Sequence, residues 1–119
     1  MKKADLIDCS KQFARRCVRL SMAMPENSLG RHIRNQLIRC STSVAANYRA
    51  VCVAQSRADF VSKIARVIEE TDESAFWIEF AMDERLVKGN RVHPLLDEAK
   101  ELVAIFVASQ QTARAKLRK

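Results

Sequence analysis

Apolar side chains recur every three or four residues through four long segments of this 119-residue chain, and that spacing is what most constrains its fold. A 3.6-residue period collects such side chains on one face of an α-helix, whereas a half-buried strand would show strict alternation. The second segment shows steps of four and three most clearly, at Ile33, Leu37, Cys40, Val44, Asn47 and Val51. The spacing predicts an all-α protein, an antiparallel up-down four-helix bundle with helices at about residues 3–22, 29–53, 57–88 and 94–116.

Breaker and cap residues separate the four segments. The run Pro25-Glu-Asn-Ser28 ends the first helix and supplies cap candidates for the second. Ser56, with Asp59 three residues later, resembles a variant capping box and opens the third helix. Gly89 is the expected C-terminal cap of that helix, and Pro94 suits the first turn of the fourth.

Length and composition favour one domain over residues 1–119, since two Gly and two Pro leave few turns and 48% of residues are hydrophobic. No stretch approaches the roughly 20 apolar residues of a membrane helix, and the first residues lack the unbroken apolar segment of a signal peptide. We therefore expect a cytoplasmic protein without a membrane partner. The four cysteines, Cys9, Cys17, Cys40 and Cys52, form no Cys-x-x-Cys pair. They are expected to behave as small buried hydrophobes, so neither a metal nor another cofactor is predicted.

A polar run in the middle of the second helix is unusual for a helix surface. Ser, Thr and Asn side chains compete for backbone hydrogen bonds, so a helix interior accepts them best where neighbouring backbones approach or where a buried polar group fixes register. Asn47 falls on the apolar seam, where its amide would need partners. The predicted polar seam comprises Thr42, Ser43, Asn47, Glu69 and Glu73. Fixing the register of the assembly is favoured over binding a ligand.

The third and fourth helices are apolar on more sides than one intramolecular core requires. Phe76, Trp77 and Phe80, together with Ile78, cover most of the circumference of the third helix, and residues around Phe106 do the same on the fourth. We predict that Phe76, Trp77, Phe80 and Phe106 lie in the interface of a homo-oligomer. The alternative is that long crossing helices bury both faces within one chain.

Charge is distributed unevenly along the chain. Residues 1–58 carry eleven Lys or Arg against three acids, residues 59–113 carry six against eleven, and the formal net charge is +7. A row of like charges on a helix calls for a counter-charge, either from phosphate or from acids of the third helix such as Glu69, Glu70 and Glu73. The nucleic-acid-binding candidates are Lys11, Arg15, Arg16, Arg19, Arg31, Arg34, Arg39 and Arg49. With no motif for reading bases, binding would depend on backbone charge and shape.

Nothing in the sequence resembles a catalytic constellation. The Glu-x-x-His pairs of di-iron bundles and the Gly-rich loops of phosphate-binding enzymes are missing. No nucleophile with an adjacent base stands out. The sequence therefore predicts a non-enzymatic protein.

Motifs along the second and third helices resemble a known family. They are Gln36-Leu-Ile-Arg39, Thr42-Ser-Val44, Ala46-Asn-Tyr-Arg49, Ala58-Asp-Phe60, Lys63, Glu70, Asp72-Glu73 and Trp77. Together they resemble the four-helix-bundle family of 23S rRNA intervening-sequence proteins. The resemblance implies an up-down bundle that often forms a ring, with a pentamer favoured, and a basic surface. It also implies kinship with the accessory proteins of diversity-generating retroelements, which work beside RNA and a reverse transcriptase.

Two residues depart from the family pattern. Ala45 stands where many relatives have Gly or Pro, and Ala50 where an acid is frequent. The reading favoured by the sequence is a basic oligomeric bundle that binds nucleic acid, RNA in preference, through its first two helices. The alternative is an interaction scaffold or accessory subunit that docks an acidic partner protein, and a relic of a mobile element without an essential partner is a third reading.

Overall fold

The structure is a computed structural model that describes residues 2–118, which form four helices connected by short loops. We label them α1 (Lys3–Met22), α2 (Ser28–Cys52), α3 (Arg57–Asp83) and α4 (Gly89–Leu117). The helices run up and down along a rod of about 51 × 21 × 21 Å. Each helix packs mainly on its neighbours in sequence, whereas α1 and α4 touch only sparsely. The predicted all-α four-helix bundle is confirmed.

The core runs along the bundle axis, where the apolar stripes of the four helices meet. Its largest side chains without exposed surface are Phe13, Phe106, Ile33, Leu37, Ile64 and Ile78. Burying one such side chain stabilises a fold by about 1.5–3 kcal/mol, so this stripe supplies most of the driving force for folding. A satellite cluster of Met24, Ile33 and Ala81 closes the end of the bundle beside the α1–α2 loop.

The predicted N-terminal caps of α2 and α3 are confirmed. The Asn27 side chain accepts a hydrogen bond from the Gly30 N–H at 2.8 Å, and Ser56 Oγ accepts one from the Asp59 N–H at 3.0 Å. The Asp59 carboxylate in turn accepts from the Gln55 N–H at 3.1 Å. This backbone hydrogen bond, assisted by Lys63, holds the pKa of Asp59 below its ordinary value. Such caps satisfy N–H groups that have no partner within the helix.

The boundary between α3 and α4 differs from the prediction. α3 ends at Asp83 rather than near residue 88, because the chain turns at Arg85, whose φ is 56°. The Leu86 N–H donates to the Ala81 carbonyl and the Arg85 N–H to the Met82 carbonyl, both at 3.0 Å, which is the Schellman pattern of a helix end. Gly89 therefore does not cap α3. It opens α4 instead.

Pro94 lies inside α4 rather than at its start. Five residues of α4 precede it, so the ring removes an N–H that would otherwise donate to the carbonyl of Asn90. Its side chain is exposed, and the helix continues through it. The prediction that α4 begins at residue 94 is thus wrong by five residues.

Candidate functional site

A groove between α1 and α2 carries a row of three cations that make no ion pair within residues 2–118. Lys11, Arg15 and Arg19 are exposed and follow one another by single turns of α1 along this groove. Ala14, Val18 and Ala45 form its floor, Thr42 lines it from α2, and its volume is about 410 Å³. Among residues 2–118, no acid lies within ion-pair distance of the three cations. We call this surface the basic groove.

The remaining basic candidates divide into paired and unpaired side chains. Arg16 makes a two-pronged contact with Glu98 of α4, and hydrogen bonding to that carboxylate raises the pKa of Arg16. Arg34 pairs with Glu26 at 2.6 Å, while Arg31 lies at 4.0 Å from the same carboxylate. Arg49 is exposed, and no acid of the described chain pairs with it. It follows the groove residue Ala45 by one turn of α2.

Arg39 is paired with acids of α3, although its side chain is 47% exposed. Its guanidinium pairs with Glu70 at 3.3 Å and also contacts Glu73. The Glu70 side chain is only 11% exposed, and Arg66 approaches it from the other side at 3.9 Å. Trp77 Nε1 donates to Glu73 at 3.1 Å. The acids of α3 therefore neutralise Arg39, as one alternative anticipated, but they do not reach the row on α1.

The polar seam differs from the prediction by about one residue of register. Asn47 is only half-buried and Thr42 is exposed, its hydroxyl donating to the Ile38 carbonyl of its own helix at 2.6 Å. Tyr48 occupies the core position expected for Asn47, and its ring lies 5.2 Å from that of Phe106. The Tyr48 ring fills more of the core than the Asn47 amide would, and its hydroxyl needs only one polar partner. Burying Tyr48 is therefore more favourable than burying Asn47.

On α2 and α3, the buried polar side chains are instead Ser41 of α2 and Glu70, Thr71 and Ser74 of α3. Ser74 Oγ donates to the Glu70 carbonyl at 2.8 Å and lies 3.2 Å from Cys40 Sγ across the helix interface. Of the predicted seam, Glu69 is exposed, Ser43 and Glu73 are half-buried, and Glu73 reaches Arg39 rather than Asn47. Sequence reasoning missed Ser41, although small residues recur around it.

Three aromatic side chains form a patch on α3, the α3 patch, in which Phe76 is exposed and Trp77 and Phe80 are half-buried. Phe76 is 51% exposed, and its ring lies 4.9 Å from that of Trp77 and 5.8 Å from that of Phe80. Beside it a groove of about 310 Å³ between α3 and α4 combines apolar walls with Asp72, Glu79 and Lys100. Phe106, by contrast, is fully buried, so its prediction as an interface residue is wrong. Phe106 packs on the ring of Tyr48 inside one chain.

Burial disfavours the reactive thiolate form at two of the four cysteines. Cys17 and Cys40 are buried, and Cys9 and Cys52 are half-buried. Burial raises the pKa of the Cys40 thiol to about 11, and it raises the pKa of Cys17 as well. Within the described part of the chain, no three His, Cys, Asp or Glu side chains converge as metal ligands would. Likewise, none of the four helices is long and apolar enough to cross a membrane.

Comparison with known proteins places this geometry in context. The comparison with curated proteins gave no match. A solved structure of a protein of unknown function from the S23 ribosomal protein family of Bacteroides thetaiotaomicron superposes with a TM-score of 0.84 at 26% sequence identity, covering 93% of this chain and 99% of that one. The family model described as 23S rRNA-intervening sequence protein matches residues 2–108, which is most of the chain. The chain therefore belongs to the family of 23S rRNA-intervening sequence proteins.

Proposed function

We propose that this protein is a non-enzymatic, oligomeric bundle that binds nucleic acid, RNA in preference, through the basic groove. The observation that carries the proposal is the row of Lys11, Arg15 and Arg19, exposed and without a paired acid in the described chain. Like charges one turn apart on a helix repel one another. Phosphates along the groove would remove that repulsion and release counterions, which favours binding.

Charge on the rest of the molecule supports the same reading. Arg16, Arg34 and Arg39 are paired with Glu98, Glu26 and the acids of α3, so the row of α1 cations that make no ion pair is the one that lines the groove. The formal net charge of +7 is multiplied in any oligomer. Contacts of this kind read the phosphate backbone and the shape of a nucleic acid rather than its sequence.

Fluorescence anisotropy on purified, nuclease-treated protein tests the proposal. Labelled structured RNA and duplex DNA are titrated from low to physiological salt. We expect affinity to fall with salt, with a log-log slope of about one unit per phosphate contact. A triple variant, Lys11→Gln with Arg15→Gln and Arg19→Gln, should lower that slope by about two to three units.

A control of equal charge separates the groove from net charge. Lys88→Gln with Arg114→Gln and Arg118→Gln also removes three positive charges, but from exposed positions outside the groove. This control should retain more of the wild-type slope than the groove variant. Equal losses in both variants would show that binding depends on overall charge, and the groove would no longer be the site.

One observation favours a second function, docking of an acidic protein segment. The floor of the basic groove is apolar, through Ala14, Val18 and Ala45, whereas a phosphate backbone needs no apolar surface. An amphipathic helix with an acidic edge would contact both the floor and the cations. A partner recovered from nuclease-treated lysate by the wild type but not by the groove variant, with no RNA bound in the anisotropy titration, would establish this alternative.

The proposed oligomer rests on the α3 patch. Phe76 is half-exposed and is flanked by Asp72 and Glu79. A cluster of aromatic rings with this much exposed apolar area is unusual on a monomeric protein. A second copy is the simplest cover, and the ring favoured by the family resemblance is a pentamer.

A further inference from the structure

A separate pocket lies at the end of the bundle where α1 and α3 begin and α2 and α4 end. Its volume is about 410 Å³, near the lower end of the roughly 300–1,000 Å³ typical of small-molecule sites. Three cations, Lys3, Arg57 and Lys116, line it, and the lining contains no acid. Phe60 contributes an aromatic ring, and Ser109 and Thr112 contribute hydroxyls.

Two of these cations stand where helix electrostatics disfavour them. Lys3 is the first residue of α1 and Arg57 the first of α3, and a helix N-terminus carries partial positive charge. Asp59 lies in the first turn of α3, but its carboxylate is already paired with Lys63 at 3.1 Å and accepts a hydrogen bond from the Gln55 N–H. Lys116 lies in the last turn of α4, the favourable end, so it adds charge to the pocket without opposing its own helix. A bound anion would compensate this arrangement.

We propose that this end pocket binds a nucleoside monophosphate. Lys3, Arg57 and Lys116 would hold the phosphate, because they come from three different helices and converge on one concave surface. Phe60 is half-buried and offers an apolar aromatic surface on which a base can stack. The Ser109 and Thr112 hydroxyls are hydrogen-bonding groups suited to a ribose. This site does not depend on the basic groove, which lies along α1 and α2.

Titration calorimetry at low salt with AMP tests the proposal, with adenosine and inorganic phosphate as separate probes. We expect AMP to bind once per chain and more tightly than either fragment. Arg57→Gln and Lys116→Gln should each weaken AMP binding by roughly tenfold or more, as for loss of a charged hydrogen bond. Phe60→Leu should weaken AMP binding while leaving that of inorganic phosphate unchanged.

Lys88→Gln is the matched control, since it removes an exposed cation from the loop before α4, at the opposite end of the bundle. It should bind AMP as the wild type does, and so should the groove variant of α1. Circular dichroism is used to check that each variant remains folded. Failure of AMP to bind at millimolar concentration, or equal binding by Arg57→Gln and the wild type, would overturn the proposal. Inorganic phosphate binding as tightly as AMP would overturn the assignment to a nucleotide.

The same chemistry is available from a free nucleotide and from the 5′ end of an RNA strand. A 5′-phosphorylated RNA octamer is therefore compared with its 5′-hydroxyl counterpart. A preference for the phosphorylated octamer that Arg57→Gln abolishes assigns the site to strand ends. AMP binding without such a preference assigns it to the free nucleotide. Loss of octamer binding in the groove variant, with AMP binding retained, would separate the two sites.

Discussion

At the scale of single residues, the buried hydroxyls of this bundle differ in how they are satisfied. Ser10, Ser21 and Ser74 each donate to the carbonyl one turn earlier, at 2.6–2.8 Å. Ser41 Oγ is buried without a full hydrogen bond among residues 2–118, and the neighbouring Cys17 thiol is only a weak partner for it. An unpaired hydroxyl in a core keeps the cost of leaving water without gaining a bond.

Ser41→Ala should therefore leave stability unchanged or raise it by up to about 1 kcal/mol, because it removes a hydroxyl without a full hydrogen bond. Ser74→Ala is the comparison, and it should lower stability by about 1 kcal/mol because it breaks a satisfied hydrogen bond. Urea unfolding followed by circular dichroism measures both. A loss for Ser41→Ala as large as that for Ser74→Ala would mean that Ser41 has a partner in solution.

The buried thiols make stability depend on alkaline pH. The pKa of Cys40 is about 11 in the folded chain, above its ordinary value of 9.0, and burial shifts Cys17 in the same direction. The unfolded chain therefore loses these protons first, so their contribution is fully present below about pH 9 and is lost as pH rises above it. Urea unfolding in a reducing buffer from about pH 8 to about pH 10 should show falling stability. Cys40→Ala should show a shallower fall, and an identical slope would contradict this origin.

At the scale of the helices, the two glycines illustrate opposite constraints. A Cβ on Gly30 would lie 2.0 Å from the carbonyl oxygen of Pro25, because the α1–α2 loop folds back over the first turn of α2. A Cβ on Gly89 would meet only the flexible end of Met82 at 3.6 Å. Only the first glycine is required by the packing of its helix.

Gly30→Ala should lower stability by about 2 kcal/mol or more, since backbone must move to admit the methyl group. Gly89→Ala should be neutral or raise stability by up to about 1 kcal/mol through helix propensity. Thermal unfolding of the two variants side by side measures the difference. Equal melting temperatures would show that the α1–α2 loop does not hold its position over α2.

The helix boundaries show what sequence can and cannot specify. Asn27 and Ser56 could be recognised in the sequence because few side chains have an oxygen placed to accept a hydrogen bond from the N–H groups of a first helical turn. The end of α3 was missed because Arg85 takes the left-handed conformation that normally indicates Gly or Asn, while the nearby Gly89 has an ordinary φ. Tertiary packing of Leu86 and Val87 on the end cluster fixes the turn earlier than local preference would.

At the scale of the whole molecule, the exposed α3 patch predicts self-association. Light scattering on the wild type should give a mass well above the 13.5 kDa of one chain. Phe76→Ser should lower that mass, because it removes the most exposed ring of the patch. Met22→Ser changes a side chain that is 67% exposed elsewhere, and it should leave the mass unaltered. A wild-type mass of one chain would contradict the proposed oligomer.

The candidate site could be predicted from the sequence only in part, where a pattern within one helix was enough. The row Lys11, Arg15 and Arg19 follows from helical spacing alone, and the structure places all three on one groove. Which arginines are neutralised depends on which helices face each other, as with Arg39 and Glu70, 31 residues apart. The spacing of charges along one helix does not indicate which acid of another helix will face them.

The sparse contact between α1 and α4 has a consequence for how the chain reaches its native state. Nearly all helix contacts join neighbours in sequence, so each pair can form as a hairpin over a short loop. Such local topology gives low contact order, which is associated with folding in microseconds to milliseconds. Closure of α4 against α1 joins the most distant parts of the chain and is expected to come last. During synthesis, α1 and α2 can then pair before the ribosome has released α4.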